Sequence, residues 1–167
     1  MNDTGLRTHL EFLIFELDGQ RFGLPVLEVR EIVRAVRPVS LPGAPAVVEG
    51  VINIRGRVVP VLDLRRRFRL PPRPLEHTDH LVIARAAGRL VALRVDRALD
   101  LVRVGTADVE DVEGVGSAGQ SVARIAKVPG DLVLIQDVCA LLSSVEAAAL
   151  DEALPPSPFP SGEGGPP

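Results

Sequence analysis

Gly56-Arg-Val-Val-Pro-Val-Leu-Asp63-Leu64 and Gly130-Asp-Leu-Val-Leu-Ile-Gln-Asp137-Val138 are two copies of one pattern, G-x-Φ-V-x-Φ-x-D-Φ, where Φ is Val, Leu or Ile, set 74 residues apart. Upstream of them, Leu13–Arg34 aligns with Val82–Arg103 at an offset of 69 residues. The identities there are Ile14/Ile83, Gly19/Gly88, Leu24/Leu93, Val26/Val95, Val33/Val102 and Arg34/Arg103. The same order of hairpin, strand and Gly…Asp block in both halves points to an internal duplication. Each half, about 10–75 and 78–140, is too short to bury much apolar surface alone. The two are therefore expected to share an interface, with a groove between them as the natural place for a partner.

The runs around these blocks are short, rich in Val, Ile and Leu, and bounded by Gly, Pro or Asp. Strands are expected at Glu11–Leu17, Arg21–Leu24, Arg34–Ser40, Val51–Ile54, Val58–Leu64, His80–Arg85, Leu90–Val95, Ala98–Val104, Val122–Lys127 and Leu132–Gln136. Asp18-Gly19, Ala87-Gly88 and Pro129-Gly130 stand at hairpin spacing. Val58 and Val133 are read as facing the barrel interiors. A helix is expected over about 138–154, where Leu141, Leu142, Val145, Ala148 and Ala149 recur at helical spacing, with Asp137 at its start. The fold class is mainly β: two small five-stranded barrels related by a pseudo-twofold, with a C-terminal helix. Residues 1–9 are expected to be a flexible N-terminus. Pro155–Pro167, PPSPFPSGEGGPP, lacks backbone donors and apolar area and is expected to be a disordered tail.

The chain has 167 residues, 19 Lys+Arg against 22 Asp+Glu, one Cys and no Trp or Tyr. At 46% apolar and 25% charged residues it has the material for a core, which excludes wholesale disorder. One cysteine makes no internal disulfide and no cysteine zinc cluster. The N-terminus lacks a signal-peptide pattern, and no stretch approaches 18 consecutive apolar residues, so the expected compartment is the cytoplasm.

Reactive constellations are scarce. No phosphate-binding P-loop, dinucleotide fingerprint or nucleophile elbow occurs. Gly114-Val-Gly116-Ser-Ala-Gly119 precedes a strand-like run rather than a helix start, so it reads as a hairpin loop. Cys139, flanked by Val138 and Ala140, reads as a buried small hydrophobe. His77 and His80 in HTDH read as solvated loop residues, not metal ligands. Asp63 and Asp137 read as duplicated caps rather than an acid–base pair. Arg65, Arg66, Arg67, Arg69 and Arg73 form the densest positive run. With five Phe and a net charge of −3, a solvated basic face or a contact to an acidic partner fits better than nucleic acid.

Asn53-Ile54-Arg55-Gly56-Arg57-Val58-Val59-Pro60-Val61-Leu62-Asp63-Leu64 resembles the N-L-R-G-x-x-x-P-Φ-Φ-D-L signature of CheW-like chemotaxis coupling proteins. Phe12–Leu17, Phe22–Ile32, Leu41–Pro45 with Val48–Val51, and Gly130–Val138 resemble that family's other segments, so the likeness spans about 10–150. The resemblance implies two five-stranded SH3-like barrels and no catalysis or cofactor. It implies an adaptor joining the cytoplasmic tip of a chemoreceptor to the regulatory domain of a CheA-type histidine kinase, held at membrane receptor arrays through its partners without inserting into the membrane. The length leaves no room for an added receiver domain or for the kinase itself. Carried over by position, Val26, Val29, Glu31 and Arg55 are the expected receptor contacts, and Arg55 also a kinase contact. Core packing for Val26 and Val29, and an ordinary exposed hairpin role for Arg55, remain open. Residues 105–121 depart from the family: Glu110 and Val115 stand where array-forming relatives often carry a basic and a bulky residue for kinase contact. A CheW-like scaffold of a non-flagellar system, for surface motility or gene regulation, is the alternative. More remote is a small β-barrel enzyme or nucleic-acid binder.

Overall fold

The computed structural model describes residues 8–86, 88–112 and 122–154. Val115, the 114–119 glycine loop and the 155–167 tail lie outside these. The chain runs β1 His9–Leu17, β2 Gln20–Pro25, a 3-10 turn Val26–Glu28, β3 Val29–Arg34, β4 Val48–Ile54, β5 Arg57–Asp63 and α1 Leu64–Arg67. It continues with β6 His80–Ala86, β7 Arg89–Val95, β8 Arg97–Gly105, a 3-10 turn Thr106–Asp108, β9 Val109–Asp111, β10 Val122–Val128 and β11 Asp131–Gln136. A 3-10 turn Val138–Leu141 and α2 Ser144–Ala153 close the described chain.

These strands make a six-stranded sheet, β8-β1-β2-β11-β10-β9, and a five-stranded sheet, β3-β6-β7-β5-β4. The sixth strand, beyond the expected five, is the three-residue β9. Shifting residue numbers by 69 or 74 converts one sheet into the other. The pair Phe12↔Val102 becomes Leu81↔Val33, Leu13↔Leu24 becomes Val82↔Leu93, and Ile52↔Val59 becomes Ala126↔Val133. The parallel pair Gly23↔Ile135 becomes Ala92↔Val61. Even the bulges match: Arg30 and Leu99 are the extra residues on β3 and β8, and Glu49 and Ala123 on β4 and β10.

The halves exchange their first hairpins. Hairpin β1–β2 lies between β8 and β11 of the second half, and β6–β7 lies between β3 and β5 of the first. Three cores follow. Phe12, Ile14, Ala126, Val133 and Ile135 fill the six-stranded unit, and their counterparts Leu81, Ile83, Ile52, Val59 and Val61 fill the other. The largest core lies between the sheets: Leu13, Phe15, Phe22 and Leu24 meet Leu62, Val82, Val91 and Leu93, with Val138, Leu141 and Leu150 from the C-terminus. Phe22 stacks between Phe15 and Phe68 at ring separations of 5.7 and 5.1 Å.

The five-stranded sheet curls until its ends meet. Val39, beyond β3, bridges Val51 of β4 through hydrogen bonds of 2.9 and 2.8 Å. Gly50 is required there, since a Cβ would stand 2.3 Å from the Val39 carbonyl oxygen.

Several expectations are corrected. The third strand is Val29–Arg34, not Arg34–Ser40, because Pro38 has no N–H to give a ladder and only Val39 pairs. Val58 is 50% exposed while Val59 is buried, a register slip of one residue. Val58 matches the exposed Leu132, whereas Val133 is buried as expected. The C-terminal helix is split: Asp137 caps the 3-10 turn through the Cys139 N–H, and Ser143 caps α2 in a capping box with Glu146. Val145 is exposed, and Leu150 carries the helix's contact with the core. β1 begins at His9, inside the stretch read as a flexible terminus.

Candidate functional site

Asn53-Ile54-Arg55-Gly56 turns β4 into β5. Arg55 and Gly56 both carry positive φ, 52° and 84°, the mirror-image turn that suits the twist of a two-residue hairpin. The Gly56 N–H donates to Asn53 Oδ1 at 2.7 Å, which locks the turn. Arginine in this left-handed region costs roughly 1–2 kcal/mol that glycine would avoid. The guanidinium crosses the seam where the curled sheet's two edges approach, and Nη1 donates to Glu31 Oε2 at 3.1 Å. Two positions separated by 24 residues in sequence thus become one pair, with Arg55 78% and Glu31 21% exposed at the side chain. An exposed pair of this kind contributes about 0–1 kcal/mol to folding.

Glu31 sits on β3 directly after the bulge, and its register partner is Ile83 of the barrel interior. Val29 is half-buried and packs against the shared core, so at least part of its role is structural. Val26 is half-buried in the crossover turn. The residue the sequence reading missed is Leu27, between them and 83% exposed, with Ile32 exposed on β3. An apolar side chain protruding from a one-turn crossover carries no periodic signature, so nothing in the pattern marks it. Leu27, Arg55 and Glu31 place exposed apolar area and charges on neighbouring elements, the usual composition of an interaction surface, whereas Ile32, the register partner of Val82, lies on the opposite face of β3 from Glu31.

Glu110 lies on β9, in the other sheet, and the structure does not bring it to Arg55. It pairs with Lys127 Nζ at 2.8 Å. The hydrogen bond and charge of Lys127 hold the Glu110 carboxyl below its ordinary pKa.

The arginine run is not a solvated face. Arg65 is buried, donating to Asp96 at 2.6 Å, to Asp18 at 3.4 Å and to the Pro71 carbonyl at 2.8 Å. Arg67 pairs with Glu146 on α2, and Arg73 pairs with Asp79 and, at 3.1 Å, with Asp96. Of the run, Arg66 and Arg69 are exposed. Cys139 is exposed rather than buried, since the 3-10 turn points Val138 and Leu141 inward instead. His77 is exposed, while His80 begins β6 and its Nδ1 accepts from the Ala98 N–H at 3.3 Å. Asp63 and Asp137 are matched caps, accepting from the Arg66 and Cys139 N–H groups. Among the described residues no three His, Cys, Asp or Glu side chains group as metal ligands. No described helix is long and apolar enough to cross a membrane. The contact between the sheets, expected to offer a groove, is filled by the largest core.

The distinctive site of this duplicated β-fold is a hairpin-tip arginine, largely in solvent, paired with a mostly covered glutamate on the facing edge strand. The chain belongs to the CheW-like domain family, whose model matches residues 11–146. It is 31% identical over 152 residues to the chemotaxis protein CheW of Bacillus subtilis, covering 89% of this chain and 97% of that protein. It is also 31% identical over 103 residues to protein FrzA of Myxococcus xanthus, covering 62% of this chain and 64% of that one. The crystal structure of the scaffolding protein TtCheW from Thermoanaerobacter tengcongensis superimposes with a TM-score of 0.76 at 26% identity, over 82% of this chain and 94% of that one.

Proposed function

We propose that this chain is a non-enzymatic adaptor of a chemosensory pathway, coupling the cytoplasmic tip of a chemoreceptor to a CheA-type histidine kinase. The observation that carries the reading is the Arg55–Glu31 pair, built at the cost of a left-handed arginine that is itself left largely in solvent. Strain held at an exposed charged residue is a reason to look for function there. A receptor helical hairpin offers an apolar stripe with flanking charges; Leu27 and Val26 supply apolar area, and Arg55 and Glu31 fix register. The kinase contacts are assigned to Arg55 on one sheet, to Glu110 on β9 of the other, and to Val115, which lies outside the described residues. The adaptor then works at the cytoplasmic face of the membrane, held there by the receptor.

The test is a reconstituted assay with the receptor and kinase encoded in the same genome. The expected result is receptor-controlled phosphorylation that needs this protein and fails with Arg55→Glu. Full receptor control in the absence of the protein would sink the proposal. The identity of those two partners also settles whether the output is swimming or another chemosensory response.

A further inference from the structure

The mouth of the five-stranded barrel beside the Arg55 turn carries positive charge that the chain leaves unpaired. Arg57 opens β5 two residues before Val59, and Arg85 lies on β6 two residues after Ile83. Val59 and Ile83 belong to that barrel's core, so both arginines share the inward phase of their strands, and both stand exposed at its rim. β7 runs between their strands and places Leu90, the register partner of Arg85, between them; Ile54 is the register partner of Arg57. Leu90 and Ile54 are half-buried and pack on the barrel core. An apolar floor is thus flanked by two arginines on strands about 10 Å apart. Neither arginine side chain makes an ion pair or hydrogen bond among the described residues, whereas Arg55 at the same rim pairs with Glu31.

The pseudo-twofold supplies the contrast. At the equivalent mouth of the six-stranded unit, Glu16 stands for Arg85, Asp131 for Arg57 and Arg21 for Leu90. There the charges meet within the chain: Arg21 lies 3.8 Å from Asp131, and Arg97 lies 4.0 Å from Glu16. The first mouth has arginine at both places and leucine between them, so that internal pairing has no counterpart.

We propose that this mouth docks an extended acidic segment of a partner protein, with the pattern acid-x-apolar-x-acid. In an extended chain residues i, i+2 and i+4 point to one face, and four residues span about 13 Å. The two carboxylates then reach Arg57 and Arg85 while the apolar side chain between them meets Leu90 and Ile54. A guanidinium takes a carboxylate through two parallel hydrogen bonds, which fixes the segment's direction as well as its charge. The inference rests on the adaptor reading for the identity of the partner, and it adds Arg57 and Arg85 to the contact already assigned to Arg55.

The probe is the peptide acetyl-Ser-Glu-Ser-Leu-Ser-Glu-Ser-amide, beside the same peptide with Gln for both Glu, titrated into the isotope-labelled full chain by NMR. The Glu peptide is expected to shift the amides of Ile54, Val59 and Leu90 and to saturate, with about tenfold weaker binding for the Gln peptide. Arg57→Gln and, independently, Arg85→Gln weaken it at unchanged melting temperature. Arg66→Gln, at an exposed arginine beyond the other end of β5, does not. Equal binding of the two peptides, shifts confined to other residues, or an equal loss with Arg66→Gln overturns the proposal. So does self-association of the peptide-free chain that Arg57→Gln removes, which would give the mouth to a second copy. The reconstituted receptor and kinase assay separates this inference from the adaptor reading. Peptide binding with no receptor control by the parent chain sinks the adaptor reading alone; receptor control that needs the chain but survives Arg57→Glu sinks this inference alone.

Discussion

Arg55 occupies a backbone conformation that asparagine or glycine adopts at little cost, and its ion pair returns at most about 1 kcal/mol. Arg55→Asn should therefore leave stability unchanged or raise it by up to about 1 kcal/mol, while losing receptor control of the kinase. Arg55→Glu should change stability by about 0.5 kcal/mol and abolish coupling, because an orienting positive charge turns repulsive. The double exchange Glu31→Arg with Arg55→Glu rebuilds the pair with reversed polarity, so it should restore melting but not coupling. Thermal melts beside the kinase assay read both quantities. Coupling restored by the exchange would mean that the pair serves only to hold the hairpin. The sequence already marked both residues, through the N-I-R-G signature and the V-R-E-I segment. It could not mark their contact, because an ion pair across a seam depends on how the sheet curls. Leu27 and the buried Arg65 were illegible for a related reason: exposure on a crossover and burial among distant aspartates are set by tertiary packing, not by local pattern.

At the scale of elements, strand identity was largely legible and strand phase was not. Arg57–Asp63 reads Arg-Val-Val-Pro-Val-Leu-Asp, and consecutive aliphatic residues leave both phases open. The structure resolves it: Val59 and Val61 fill one barrel, Leu62 faces the shared core, and Val58 is half in solvent. Val59→Asp and its counterpart Val133→Asp should each cost several kcal/mol, since each buries an unpaired carboxylate. Val58→Asp should melt within a few degrees of the parent. Equal melting of all three in urea or heat would refute the register. Strand β3 was missed because Val-Arg-Glu-Ile-Val-Arg is half charged and lies next to the more apolar 35–40 stretch, which Pro38 keeps out of the ladder. Helix α2 offers a pH test. Burial disfavours ionised Glu146, but the Ser143 N–H and the Arg67 guanidinium outweigh it and hold its carboxyl below the ordinary 4.5. A depressed folded pKa stabilises the folded state above 4.5 and loses that contribution as pH falls through the lower folded value. Glu146→Gln should therefore narrow the stability difference between neutral and acid pH. Ser143→Ala should cost about 1 kcal/mol at neutral pH. Denaturant midpoints measured across that range check both, and an unchanged acid slope in Glu146→Gln would remove the assignment.

At the scale of the whole molecule, the repeat was visible as two offsets, yet the exchange of hairpins was not. Offsets report that two segments are alike; they do not say which copy pairs with which, and the parallel pairs β2–β11 and β5–β7 join strands far apart in sequence. The exchange has a thermodynamic consequence. Within the first half, β1–β2 has no sheet neighbour of its own, because β8 and β11 both belong to the second half. Within the second half, β6–β7 likewise depends on β3 and β5. The shared core is built from both, and the buried Arg65 of α1, the helix that follows β5, clamps Asp18 of the first hairpin turn to Asp96 after β7. Losing one partner of such a buried cluster leaves the other charges uncompensated. Neither half should then fold as a monomer. Fragments 8–76 and 77–154, expressed separately, should each give coil-like circular dichroism and poorly dispersed NMR spectra. Mixed one to one, they should recover the spectrum of the intact chain, with a midpoint that depends on concentration because folding has become association. The like halves leave one alternative for a single fragment: two copies exchanging hairpins with each other, as a swapped dimer. A fragment that sediments as a monomer with native-like dispersion would show that a half can close its own barrel, and that the exchanged arrangement is not what holds the protein together.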